Sequence, residues 1–128
     1  MTIYPDKLKP TIVKWNVNGT QRCFDCTYKF SEAIVFFQLD LVVVFKKESS
    51  NQARSVACVY NMEGEYLYEI LFPVLDSMNR HIVVSYMWSS EIKKGIKIVY
   101  GTNSVSYRDF SCDFDFSKRE YIATNEAR

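Results

Sequence analysis

The chain has 128 residues, with 16 Lys and Arg against 15 Asp and Glu, 48% apolar residues and 16% aromatic ones. That length and composition predict one globular domain, residues 1–128, and exclude a disordered or low-complexity chain. A formal charge of +1 gives no electrostatic footprint for nucleic acid, and the nine Tyr and nine Phe favour pleated, half-buried surfaces over helices.

The opening MTIYPDKLKPT has no apolar stretch behind its charges, so no secretory leader is expected. TIVKWNV (11–17) alternates with period two, Asn18-Gly19 follows, and TQRCFDCTYKF (20–30) alternates again. Asn-Gly between two such runs predicts a hairpin on a type I′ turn, because both central residues need positive φ. On the second strand Phe24, Cys26, Tyr28 and Phe30 share one face. SEAIVFFQLDLVVVFKK (31–47) reads as strand, broken near Gln38–Asp40, with Asp40 placed in the turn. Its apolar part, residues 33–45, is too short for a membrane span, so a cytoplasmic protein with reduced cysteines is expected.

ESSNQAR (48–54) is a polar loop. SVACVYN (55–61) and EYLYEILF (65–72) flank Met62-Glu63-Gly64 as a second hairpin. PVLDSMNR (73–80) is a connection with room for one helical turn. HIVVSYMW (81–88) and IKIVYG (96–101) flank SSEIKKG as a third hairpin with a longer loop. VSYRDFSCDFDF (105–116) alternates, and REYIAT (119–124) pairs back on it. The whole reads as mainly β, roughly eight or nine strands in antiparallel meander order, forming a sandwich or half-open barrel. The alternative is α+β, with residues 31–38 or 73–80 helical.

RCFDC (22–26) is the one local pattern with a chemical reading. In a strand, Cys23 and Cys26 point to opposite faces and cannot share one ion without a bend. Neither Cys58, Cys112 nor His81 stands in a second paired spacing. A redox pair would need a helix N-terminus behind it, whereas TYKF continues the strand. The cysteines therefore read as small core residues, with no metal and no cofactor expected. His81 is the lone histidine, and neither a nucleophile elbow nor a phosphate loop is present, so no catalytic set is visible and an enzyme is not expected.

Two groups remain as site candidates. Asp109, Asp113 and Asp115 share a strand face with Ser111, forming an acidic stripe that suits a basic protein partner or is simply the solvated face of an outer strand. Tyr66, Tyr68, Tyr86, Trp88 and Tyr100 read as interface aromatics or as the lining of a ligand cavity. Lys93, Lys94 and Lys97 are too few among them for an RNA platform.

VACVYNMEGEYLYEI (56–70), with Asn61, Gly64, Leu67 and Tyr68, resembles a hairpin phrase found in small uncharacterised bacterial β-rich orphan proteins and in quinoprotein-like propeller blades. CDFDFSKREYIA (112–123) is similar to a second copy, with Asp115 in the acidic position and Lys118 and Arg119 where the glycine would stand. The resemblance spans about a quarter of the chain, which is too short to close a propeller. It implies β-hairpins and no activity; proteins of this kind are associated with mobile elements or with immunity to toxins. The expected function is a non-enzymatic interaction protein binding a protein partner, immunity-like or accessory to a mobile element. The alternative is a small-molecule-binding module with an aromatic-lined cavity. An open sheet edge makes a homodimer a further expectation.

Overall fold

A computed structural model describes residues 1–47, 54–73, 83–103 and 109–126. The chain is all-β and antiparallel, in open sheets of five, four and two strands, none closed into a barrel. Among the described residues there is no helix: of the candidate helix 31–38, residues 31–36 lie in a strand and 37–38 in the turn after it. The polar loop (residues 48–53), the connection at 74–80 and His81 lie outside the described residues.

The described residues form eleven strands in chain order: β1 (Thr2–Ile3), β2 (Ile12–Val17), β3 (Thr20–Asp25), β4 (Phe30–Phe36), β5 (Leu41–Lys46), β6 (Ser55–Asn61), β7 (Tyr66–Leu71), β8 (Val84–Ile92), β9 (Gly95–Thr102), β10 (Phe110–Asp115) and β11 (Glu120–Glu126). They pack as two compact units, one formed by residues 1–47 and 57–69, the other by 48–56 and 70–128.

In the first unit, β4, β5 and β6 form a meander, with β1 added outside β4 and β7 outside β6. The β2–β3 hairpin lies over one face. Val13 and Trp15 from β2 meet Ala33 and Val35, Val42 and Val44, and Cys58 and Tyr60 from successive strands. Every second residue of each strand supplies this layer, which is the period-two rule made visible. Phe24 is the link: its ring lies 4.7 Å from Tyr60 and 6.1 Å, edge-on, from Trp15. Burying each such side chain contributes about 1.5–3 kcal/mol, so this layer is what fixes the hairpin on the sheet.

The Asn18-Gly19 turn forms as expected, with both residues at positive φ. Asp40 sits in the turn between β4 and β5, exposed and at φ 54°. The second strand of the first hairpin is shorter than its alternation implies. It ends at Asp25, whose carboxylate accepts the Thr27 N–H at 2.8 Å and holds Thr27 at φ 71°. A β-branched residue enters that region only when something local compensates.

The Asn61–Glu65 turn is held by one side chain. The Asn61 carbonyl oxygen accepts the N–H groups of Glu63 and Glu65, and its amide donates to Glu65 Oε1. Gly64 completes it at φ 84°, with a Cβ there falling 2.7 Å from Phe24 Cβ.

The second unit is a four-stranded meander, β11-β10-β9-β8. Ile96, Ile98 and Tyr100 from β9, with Phe110, Cys112 and Phe114 from β10, form its buried face. Phe72 packs on Tyr100, Tyr100 stacks on Phe110, and Phe114 meets Phe116 and Tyr121 edge-on. The hairpin loop before β9 is shorter than expected: β8 runs to Ile92 and only Lys93 and Lys94 turn the chain, Lys94 at φ 60°.

Two glycines with the same φ sign separate backbone cost from steric cost. Gly19→Ala has open space around it, so urea unfolding should show a loss of about 1–2 kcal/mol from the left-handed backbone alone. Gly64→Ala adds the collision with Phe24 and should lose about 1–3 kcal/mol more. Equal losses would mean that Phe24 moves aside freely.

Candidate functional site

The RCFDC motif separates into two environments. Cys23 is exposed on the outer side of the β2–β3 hairpin, across from Lys14, while Cys26 is buried in the first unit's core. Cys26 faces inward by the same alternation as Phe24, and the chain bends only one residue beyond the motif, at Thr27. The Cys26 sulfur lies 3.0 Å from the Tyr28 carbonyl and 3.2 Å from that of Thr11. Burial pushes its thiol pKa up, the reverse of what a redox nucleophile needs. Cys58 and Cys112 are buried too. Among the described residues no three His, Cys, Asp or Glu side chains come together to hold a metal ion.

A cleft of about 160 Å³ lies on the outer side of that hairpin, lined by Asp6, Lys9, Ile12, Lys14, Gln21 and Cys23. It is well below the roughly 300 Å³ at which ligand pockets begin.

The aromatics fall in both units. Tyr66 and Tyr68 belong to the first unit, where exposed Tyr66 leans edge-on against Tyr60. Tyr100 is completely buried in the second unit's core. Its hydroxyl meets that of Tyr121 at 2.6 Å, and Tyr121 donates to the Leu71 carbonyl. One hydroxyl carries one proton, so Tyr100 is the donor in the first of these bonds. Tyr86 shares that face and donates to Ser89 Oγ at 3.0 Å. Trp88 is on the opposite face of the same sheet. Alternation counted from a single strand could not separate them, because a β-bulge intervenes.

That bulge falls at Met87, between the pairs Tyr86–Tyr100 and Trp88–Val99. Two residues then stand where the partner strand offers one, which bends the strand and re-aims its side chains. Trp88 shares a row with Val99 on β9 and Ser111 on β10. The Met87 sulfur covers Gly101, lying 2.8 Å from where a Cβ would stand, with Asp109 Oδ1 3.5 Å from the same point. Met87 is 49% exposed and Trp88 51%, so two large apolar side chains project on the face that carries the acidic residues.

The acidic stripe is not the solvated face of an outer strand. β10 is an inner strand with β9 and β11 on either side. Ser111 is buried, and half-buried Asp113 faces Lys97 across the ladder with one carboxylate oxygen buried and without a hydrogen-bond partner. Asp115 belongs to a turn: its Oδ1 accepts the Lys118 N–H at 2.8 Å and the Ser117 hydroxyl at 2.7 Å. Arg119 takes φ 55° there. Asp109 is exposed at the head of β10. This face thus carries Met87, Trp88, Asp109 and Asp113, with Lys97 beside Asp113. Met87 is the residue that sequence reasoning missed; it is the unpaired residue of the bulge, and its side chain reaches over Gly101.

Among the described residues no helix is long and apolar enough to cross a membrane. No protein-family model, curated protein or solved structure matches the chain.

The backbone N–H of Lys118 and the hydroxyl of Ser117 hold the Asp115 carboxyl below the usual carboxylate range. The folded chain therefore takes up this proton less readily than the unfolded one. Stability from this group is present above the unfolded value of about 3.9 and is lost as pH falls through the lower folded value. Asp115→Asn should flatten the acid limb of a stability–pH curve below about pH 4; an unchanged limb would show that the turn does not discriminate the charge. Burial pushes the phenols of Tyr28, Tyr60, Tyr100 and Tyr121 the other way, upward. Their contribution is complete below the unfolded value of about 10 and is lost as pH rises beyond it. Ultraviolet titration should find these four un-ionised at pH ~11 until the protein unfolds, and Tyr100→Phe should make the alkaline loss less steep.

Proposed function

We propose that this is a non-enzymatic interaction protein, immunity-like in style, that binds a basic protein partner through the outer face of the β8–β11 sheet. The observation that carries the reading is the bulge at Met87. A strand normally alternates its side chains between faces; here the irregularity sets Met87 and Trp88 half-exposed beside two carboxylates. Trp and Met are enriched in the core of protein interfaces, and charged residues belong to the rim around it. The half-buried, unpartnered oxygen of Asp113 adds to this, since a donor from a partner would satisfy it.

The chemistry of the buried groups favours binding over catalysis. Cys26 and Cys112 have thiols raised by burial, and Tyr28, Tyr60, Tyr100 and Tyr121 have phenols raised by burial, so none is poised to act near neutral pH. The acidic residues of the face are set for recognition and for steering a basic partner.

Retention of proteins from an extract of the native host by the immobilised chain tests this. Trp88→Ala should lower retention of the specific partner by about 30-fold, the size of an interface hot spot. Asp109→Lys should slow association in a salt-dependent way, while Lys47→Ala leaves binding as it is. Melting curves within a few degrees of the unsubstituted protein keep folding out of the comparison. A partner retained equally by all three variants would end this reading.

A further inference from the structure

We infer that the Met87–Trp88 bulge is the seat for an arginine side chain of the partner, with the guanidinium plane laid on the Trp88 ring and the Asp109 carboxylate as its acceptor. This rests on the reading of that face as the partner surface and names the group it recognises. Trp88 stands in the row of Ser111, and the two carboxylates lie two residues to either side of Ser111 on β10. Adjacent rows along a strand are about 7 Å apart and, with β9 between β8 and β10, the two strands about 10 Å apart, so the Cα atoms of Trp88 and each aspartate are about 12 Å apart, a gap for the indole, a guanidinium and the carboxylate to span together.

The two carboxylates are not equivalent. Asp113 faces Lys97, which supplies positive charge on its own row. The neighbour of Asp109 on this face is Gly101, which has no side chain, and Met87 fills the space above it. Among the described residues Asp109 is therefore the acid with no cation on its own row, and Met87 gives the aliphatic stem of a long side chain an apolar bed. Arginine fits better than lysine: its plane stacks on an indole, its fork reaches a carboxylate with two donors, and it is more weakly hydrated.

A nuclear magnetic resonance titration with the peptide acetyl-Gly-Arg-Gly-amide tests this. Matched peptides carrying citrulline and lysine serve as comparisons, citrulline keeping the shape without the charge. The indole N–H of Trp88 should shift with the arginine peptide in saturable fashion, while buried Trp15 stays still. Asp109→Asn should weaken the response severalfold, the lysine peptide should bind more weakly, and citrulline should give no saturable shift. An indole signal that ignores arginine, or answers citrulline equally, overturns the assignment. If Trp88→Ala abolishes partner retention while the arginine peptide leaves Trp88 unmoved, the arginine assignment falls and the partner surface stands. If the peptide binds and retention is untouched, the arginine seat is supported and the partner reading falls.

Discussion

The described strands reverse repeatedly in a chain that holds four glycines, and that constraint shapes much of the rest of the structure. Tight reversals need backbone conformations that L-residues avoid. Among the described residues five that are not glycine, Asn18, Thr27, Asp40, Lys94 and Arg119, occupy the left-handed region. Short polar side chains offset the cost at several turns by taking up N–H groups that no strand neighbour can reach. Asp6 does so for Leu8, Asp25 for Thr27, Asn61 for Glu63 and Glu65, and Asp115 for Lys118. Acidic residues are thereby consumed by architecture. Of the three aspartates of the stripe, Asp115 is one of these.

The aromatic excess is absorbed in a similar way. A tyrosine inside a protein must find a partner for its hydroxyl. Tyr28 donates to the Val44 carbonyl, Tyr121 to that of Leu71, and Tyr100 to Tyr121. Each joins strands that are distant in sequence, Leu71 and Tyr121 being fifty residues apart. Tyr100, read from the sequence as interface or cavity lining, is instead a core residue with a polar tip. Composition can say that aromatics are abundant; it cannot say which of them have a carbonyl waiting.

The strands were largely legible because alternation and turn chemistry are local signals. Asn18-Gly19, the break at Asp40 and the return of β11 on β10 are all written in a few adjacent residues. Three features were not. β1 is two residues long and exists only because β4 offers it an edge. The end of β3 depends on Asp25 reaching two residues ahead, against an alternation that continues through it. The rank of β10 as an inner strand depends on β9 and β11 together, so the stripe it carries could not be recognised as half-buried from its own sequence. For β1 and β10 the deciding partner lies on another part of the chain, and for β3 a side-chain bond overrides the pattern.

The bulge at Met87 belongs with these, and it gives the candidate site its physical interest. Bulges at sheet edges hinder pairing with a second strand, and β8 is an edge strand of its sheet among the described residues. This irregularity also aims Met87 and Trp88 outward, Met87 over Gly101 and Trp88 in the row of Val99, where a regular register would place only one of them on this face. A sequence that obeys its local rules nearly everywhere and departs from them at two half-exposed apolar residues has a site worth testing there, since such departures concentrate where function competes with folding. The glycine opposite is part of the same arrangement. A side chain at residue 101 would meet the Met87 sulfur, and the carboxylate of Asp109 would no longer share an open face with the indole beside it. Bulge, glycine and aspartate lie on three neighbouring strands or their ends, and each is needed for the others to form one surface.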